Sequence, residues 1–228
     1  MLYMENVTKV YNNKSVALDD VNLHIERGEF VFLVGPSGAG KSTFFKSLFL
    51  EERPNEGSII VDNEDILALE DKQIPFYRRK LGIIFQDFRL LSDRTVYENV
   101  AFAMEVIEAP RRVIKRHVMN VLELVGLRDR KDAYPNELSG GEQQRIAIAR
   151  AIVNDPLLVI ADEPTGNLDP ETSWDIMDIF NMINETGTTI IMATHSKEIV
   201  DQMKKRVIAI EDGRIVRDEE EGAYGYEL

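Results

Sequence analysis

The 228-residue chain contains no cysteine. That excludes a disulfide framework and a thiolate metal site, and it fits a reducing compartment. A basic excess is also missing: 27 Lys and Arg stand against 40 Asp and Glu, a net charge of -13. Sequence-independent binding to nucleic acid and adhesion to an anionic membrane surface both rely on basic clusters, so neither is expected. No apolar run approaches the ~20 residues that a membrane-spanning helix requires. The start MLYMENVTKVY has neither the basic leader nor the apolar centre of a signal peptide. A cytosolic chain without direct membrane insertion is expected, any membrane contact passing through another protein. Repeats and low-complexity segments are absent too, and the one biased stretch, the acidic Arg217 to Leu228, reads as a solvated, mobile end.

What the chain does have is 44% hydrophobic residues, enough to bury the core of one large domain or two small ones. Phe30 to Val34, Leu81 to Phe85, Leu157 to Ala161, Thr188 to Met192 and Val207 to Ile210 are near-continuous apolar runs. That is the pattern of parallel strands covered on both faces, hence an α/β sheet flanked by helices. Leu2 to Lys9 and Leu18 to Ile25 alternate instead, as antiparallel strands of a separate β layer would. From Val96 to Leu127 the pattern is helical, with a capping box at Thr95 and Glu98 and a second helix start at Pro110. A turn at Tyr134 to Asn136 precedes a helix from Ser139 to about Val153.

The segment Gly35-Pro36-Ser37-Gly38-Ala39-Gly40-Lys41-Ser42-Thr43 satisfies G-x-x-x-x-G-K-[ST] directly after the apolar run FVFLV. Its glycines let backbone N–H groups turn inward onto phosphate oxygens, and the following helix adds its positive end. Lys41 then reaches the β and γ phosphates, and the Ser42 hydroxyl is placed to ligate Mg²⁺. Asp162 and Glu163 end the run LLVIA, at the sheet edge where ligands of open α/β sheets bind. Asp162 is suited to hold Mg²⁺ through water, and Glu163 to orient or deprotonate the attacking water. Without the phosphate loop, a strand running into a polar turn at Pro164 would account for both carboxylates. His195 follows TTIIMAT at the same sheet edge and reads as a γ-phosphate contact, whereas His24 and His117 read as structural.

A second glycine pair opens a helix in Leu138-Ser139-Gly140-Gly141-Glu142-Gln143-Gln144. Ser139 and Glu142 make a capping box by themselves. The glycines, at ~1 kcal/mol each relative to alanine, call for close approach of an anion to the helix end.

With GPSGAGKST, Gln86 after a strand, LSGGEQQ, LLVIADEP, Asn167-Leu168-Asp169 and His195 in this order, the chain resembles the ATP-binding subunits of ABC transporters over essentially its whole length. LSGGEQQ is the family's signature and very specific. The resemblance implies a P-loop NTPase fold, an ABC nucleotide-binding domain with a RecA-like parallel-sheet core, an antiparallel β layer and a helical subdomain. Residues 1–86 and 155–228 would form core and β layer, and about 87–154 the helical subdomain carrying the signature. It also implies an ATPase working with ATP and Mg²⁺ as a head-to-tail homodimer that sandwiches two nucleotides.

In that dimer Ser139, Gly141 and Glu142 would serve the partner's nucleotide. Tyr11 matches the aromatic that stacks on adenine, Asp169 the loop through which one site senses the other, and Gln86 the glutamine that touches Mg²⁺ and water. Within the family the resemblance is to a bacterial cell-division branch, carried by FQDFRLLSDRTVYENVAFAMEVI, ELSGGEQQRIAIARAIV and the ending RVIAIEDGRIVRDEEEGAYGY. The resemblance to this branch implies an integral membrane partner that is driven rather than a solute that is moved; the alternative is the ATPase subunit of a true transporter, a lipoprotein exporter or a small-solute importer. Phe88, Leu90, Leu91 and Tyr97 are then candidates for an apolar groove gripping a helix of that partner. Nucleic-acid-directed ATPases of the family carry two cassettes or a long coiled coil, and this acidic chain has neither.

Overall fold

The computed structural model describes residues 1–225. Ten strands and seven α-helices alternate along the described residues: β1 Leu2–Val10, β2 Val16–Ile25, β3 Phe30–Val34, α1 Lys41–Leu48, β4 Glu56–Val61, β5 Glu64–Asp65, α2 Ile74–Arg78, β6 Leu81–Ile84, α3 Val96–Glu105, α4 Arg111–Leu124, α5 Gly140–Ile152, β7 Leu158–Asp162, α6 Pro170–Glu185, β8 Thr189–Ala193, α7 Lys197–Met203, β9 Arg206–Glu211 and β10 Arg214–Glu219. One sheet runs β10-β9-β3-β8-β7-β6 and a second runs β2-β1-β4-β5. From β9 to β6 every pairing in the larger sheet is parallel, and β10 closes it antiparallel. The second sheet is antiparallel throughout.

The continuous apolar runs have a simple physical origin, because the larger sheet separates two cores. On β3, Phe30, Phe32 and Val34 point into the core shared with α3 to α6, while Val31 and Leu33 point into the core shared with α1 and the β layer. β7 and β8 alternate the same way, with Val159, Ala161, Ile190 and Met192 on the first face and Leu158, Ile160, Ile191 and Ala193 on the second. Side chains alternate faces along a strand, so burial of both faces demands an apolar residue at every position. Each fully buried large side chain contributes about 1.5–3 kcal/mol of transfer free energy.

α3 begins at the capping box expected of it: the Glu98 N–H donates to Thr95 Oγ1 at 3.2 Å, and the Thr95 N–H donates to Glu98 Oε2 at 2.8 Å. α4 follows Pro110 as its N-cap. His24 stacks on Tyr3 in the β layer with centroids 4.1 Å apart, and His117 lies on α4, 3.9 Å from Asp155.

The acidic end departs from expectation. Arg217 to Glu219 belong to β10, and Gly222 is buried. Arg217 carries its guanidinium to the carbonyls of Tyr224 and Gly225, at 3.0 and 3.2 Å. Pairing with β9 and these charge-assisted bonds hold a segment whose composition alone suggested solvation. Tyr226 to Leu228 lie outside the described residues. Among the described residues no helix is long and apolar enough to cross a membrane.

Candidate nucleotide site

Register brings the site together. Val34 pairs with Ala209, Leu33 and Asp162 both pair with Ala193, and Ile84 pairs with Ala161. The chain therefore leaves β3, β8, β7 and β6 at one level. Gly35, His195, Glu163 and Gln86 emerge along one edge of the sheet, outside its carboxyl ends.

The loop from Gly35 to Gly40 feeds α1 without a side-chain cap, and no acidic residue occupies the helix's first turn. Its orphan N–H groups and positive dipole end are left for an outside acceptor. Gly40 has φ +113°, and a Cβ there would stand 2.3 Å from the Ala17 carbonyl oxygen, so only glycine lets the loop close against β2. Pro36, Ser37, Gly38 and Ala39 complete the turn, with the Ala39 N–H donating to the Pro36 carbonyl at 3.2 Å.

Lys41 is 8% exposed and donates to the Gly35 and Pro36 carbonyls at 2.6 and 2.9 Å. Among the described residues its ammonium forms no ion pair within 4.0 Å. Burial holds its pKa below the ordinary lysine value, against the opposing fields of Glu163 and Asp162. A buried cation supported only by loop carbonyls, over an uncapped helix start, fits a polyphosphate. Ser42 follows Lys41 in the first turn of α1. Thr43 accepts or donates at 3.2 Å to the Tyr11 hydroxyl, which puts Tyr11 at the flank of the loop.

Asp162 closes β7. Burial first, and repulsion from Glu163 second, push its carboxyl above the usual range despite Lys41. The nucleotide-free fold therefore holds this charge at a cost at neutral pH, a cost relieved as the pH falls through the raised pKa. Asp162→Asn is expected to raise the thermal midpoint of the nucleotide-free protein at pH 7. Its advantage over the parent should shrink on acidification, measured by melting both proteins across a pH series. Ser42 and Asp162 line one pocket, and their hydroxyl and carboxylate, with the amide oxygen of Gln86, would make an all-oxygen donor set of the kind Mg²⁺ takes.

Glu163 sits at φ +49°, a left-handed conformation that costs a non-glycine residue of order 1–3 kcal/mol. There its Oε1 lies 2.9 Å from His195 Nε2. Its other oxygen and the Gln86 amide nitrogen both border Gly166, 3.4 and 3.2 Å from where a Cβ would sit. Gln86 is tied to the loop after β7 by its carbonyl, which accepts from Asn167 Nδ2 at 3.4 Å. Lys41, Asp162, Glu163, Gln86 and His195 thus form one polar cluster.

Ser139, Gly141 and Glu142 lie apart from it: no hydrogen bond or ion pair joins them to Lys41, Asp162 or Glu163 among the described residues. The capping box forms, with Glu142 Oε2 accepting from the Ser139 N–H at 2.9 Å and Oγ at 3.0 Å. Those bonds, the backbone one foremost, hold the Glu142 pKa below its ordinary value. Gly141 has a reason inside the chain as well, since a Cβ there would meet Thr172 Cγ2 at 2.4 Å. Asp169 caps α6, accepting from the Thr172 N–H at 3.0 Å and the Thr172 hydroxyl at 2.6 Å.

Two residues that sequence reasoning passed over hold the stretch after Gln86. Arg150, at the end of α5, donates to the carbonyls of Arg89 and Phe88 at 2.7 and 2.8 Å, and burial lowers its pKa. Those two residues have φ +48° and +57°. Asn99 is fully buried and bonds Leu91 at both N–H and C=O, 2.8 and 3.0 Å. Phe88, Leu90, Leu91 and Tyr97 are all half-buried, with Leu90 and Tyr97 packed against the core. The large apolar side chains exposed nearby are Phe102 of α3, Val106 at its C-cap and Phe76 of α2. Arg79 links two of them, lying 4.7 Å from the Phe76 ring and 3.5 Å from the Val106 carbonyl, and Arg94 lies 5.2 Å from the Phe102 ring.

Comparison with known proteins agrees with this geometry. The ABC transporter family matches residues 18–166. The chain is 57% identical over 225 residues to a cell division ATP-binding protein FtsE of Bacillus subtilis, covering 99% of both chains. It is 44% identical over 229 residues to a methionine import ATP-binding protein MetN of Haemophilus influenzae, covering 99% of this chain and 66% of that one. Among solved structures, the dimeric post-hydrolysis state of the ATP-binding cassette MJ0796 bound to ADP and Pi superimposes with a TM-score of 0.87 at 35% identity, over 98% of this chain and 100% of that one. With an uncapped phosphate loop and two strand-end carboxylates on one sheet edge, the chain belongs to the ABC transporter family and is an ATPase of its nucleotide-binding cassette type.

Proposed function

We propose that this chain dimerises on ATP and uses its hydrolysis to drive the integral membrane protein FtsX, passing a conformational change across the membrane that activates peptidoglycan hydrolases in bacterial cell division. It works at the cytoplasmic face of the membrane, peripherally, at the division site. The observation that carries the ATPase part is the approach of Glu163 to His195, 2.9 Å, beside the phosphate loop. The division part rests on 57% identity along 99% of both chains to a protein named for cell division.

In this reading Lys41 and the N–H groups from Gly35 to Thr43 hold the phosphates, and Tyr11 stacks on the adenine. Ser42, Gln86 and Asp162 would hold Mg²⁺, which when bound would supply charge neutralisation at the phosphate oxygens. Glu163 accepts a proton from the attacking water, and His195 contacts the γ-phosphate. Ser139, Gly141 and Glu142 close on the nucleotide of a second copy, and Asp169 reports one site to the other. An ATPase subunit of a true transporter shares all these parts, and the MetN likeness favours that second reading; yet this chain spans only 66% of MetN.

Recovery of the tagged chain from membranes of its own organism, read by mass spectrometry, tests the partner. FtsX is expected in the pull-down, and a multi-span permease in its place would favour the transporter. FtsX would dock against the apolar surface made by Phe88, Leu90, Leu91 and Tyr97, continued by the exposed Phe76, Phe102 and Val106. Phe88→Ala or Leu91→Ala is expected to leave ATP affinity unchanged while FtsX no longer co-purifies. Equal loss of both would return these residues to the core.

A further inference from the structure

The chain returns after β10 to the nucleotide site. Gly222 donates its N–H to the Lys205 carbonyl at 3.2 Å, and the Tyr224 N–H donates to Asp201 Oδ1 at 2.7 Å. Arg217 fastens the Tyr224 carbonyl at 3.0 Å. The Tyr224 ring packs against the core, and its hydroxyl lies 3.4 Å from His195 Nδ1. The other ring nitrogen, Nε2, faces Glu163 Oε1 at 2.9 Å. A carboxylate only accepts, so Nε2 carries the proton, and in the neutral imidazole Nδ1 is then a bare acceptor. A hydroxyl is the kind of group that satisfies it.

We propose that Tyr224 is a positioning residue for the ATPase: its hydroxyl donates to His195 Nδ1, fixing the tautomer and ring orientation in which Nε2–H faces Glu163 and the γ-phosphate. Partners of the second ring nitrogen set histidine orientation in the same way at other sites. Gly222 is what lets the strap lie down, since a Cβ there would stand 2.7 Å from Val207 Cβ and 3.0 Å from Cγ2 on β9. The strap is therefore built for close passage over the strand that neighbours β3, and Tyr224 is its contact with the site. The inference rests on the reading of His195 as a γ-phosphate contact.

The test is a double-mutant cycle on the full chain. Tyr224→Phe keeps the ring and is expected to lower kcat for ATP roughly two- to tenfold, the span of one neutral hydrogen bond, with KM and melting temperature unchanged. Gly222→Ala, which lifts the strap, is expected to reproduce the loss. In a His195→Ala background, Tyr224→Phe should change the residual single-turnover rate no further. An equal loss in both backgrounds, or none in the parent, overturns the inference while leaving the role of His195 intact. Parental turnover by His195→Ala would sink that role, and the positioning claim with it. A readout free of activity comes from ¹⁵N labelling of the three histidines. Tyr224→Phe should move the His195 Nδ1 resonance toward that of an unbonded nitrogen, and an unmoved resonance removes the contact altogether.

Discussion

Glu163→Gln is expected to cut ATP turnover by about 10²–10⁴-fold, the usual contribution of a general base, while ATP stays bound. The substitution is nearly isosteric, and the amide oxygen of glutamine still accepts from His195 Nε2, 2.9 Å from Oε1 in the parent. The backbone at φ +49° needs no rearrangement either. What disappears is the ability to take a proton from water. With hydrolysis blocked, the two-nucleotide dimer should outlive its formation, so light scattering with ATP should report twice the chain mass, and with ADP the single chain. Phosphate release at the parental rate would show that another group takes the proton.

The second large effect is on binding. Lys41→Ala is expected to weaken ATP affinity by about 10- to 100-fold, because hydrogen bonds to a charged group contribute about 1.5–3 kcal/mol each and 1.4 kcal/mol is tenfold. The nucleotide-free protein should melt no lower than the parent. Lys41 is buried, and burial holds its pKa down, so the fold gains nothing from carrying that charge without an anion. Titration of a fluorescent nucleotide and a thermal melt on the same preparation separate the two quantities. Loss of affinity together with a collapse of the melt would instead mean that the bonds from Lys41 to Gly35 and Pro36 hold the loop in shape.

The parts of this molecule that were legible in the sequence are those fixed by local pattern. β3, β7 and β8 are apolar at nearly every position because both faces are buried, and the phosphate loop, Asp162 and His195 lie directly after such runs. The capping boxes at Thr95 and Ser139 join residues three positions apart and form as read. β10 was not seen because RIVRDE is mostly charged, although it only folds back on the neighbouring β9, and β4 was not seen because EGSIIV opens on a charge and its partner β1 is distant in the chain. The same distance hid Arg150, whose bonds reach 61 and 62 residues back, and Tyr224, which meets a histidine 29 residues away.

The groove expected after Gln86 meets a different kind of limit. Sequence identifies Phe88, Leu90, Leu91 and Tyr97 as apolar, but not how far each turns inward, and Asn99 and Arg150 decide that by pinning the backbone between them. The exposed Phe76 comes from α2, before the stretch that drew attention.

In the proposed coupling FtsX gates the hydrolysis that drives it, so its presence is expected to change the rate of turnover. Phosphate release by the parent chain, measured alone and with FtsX in lipid vesicles, with Glu163→Gln as the blank, tests the coupling most directly. A turnover that depends on FtsX is the expected result. The same rate with and without FtsX would contradict it.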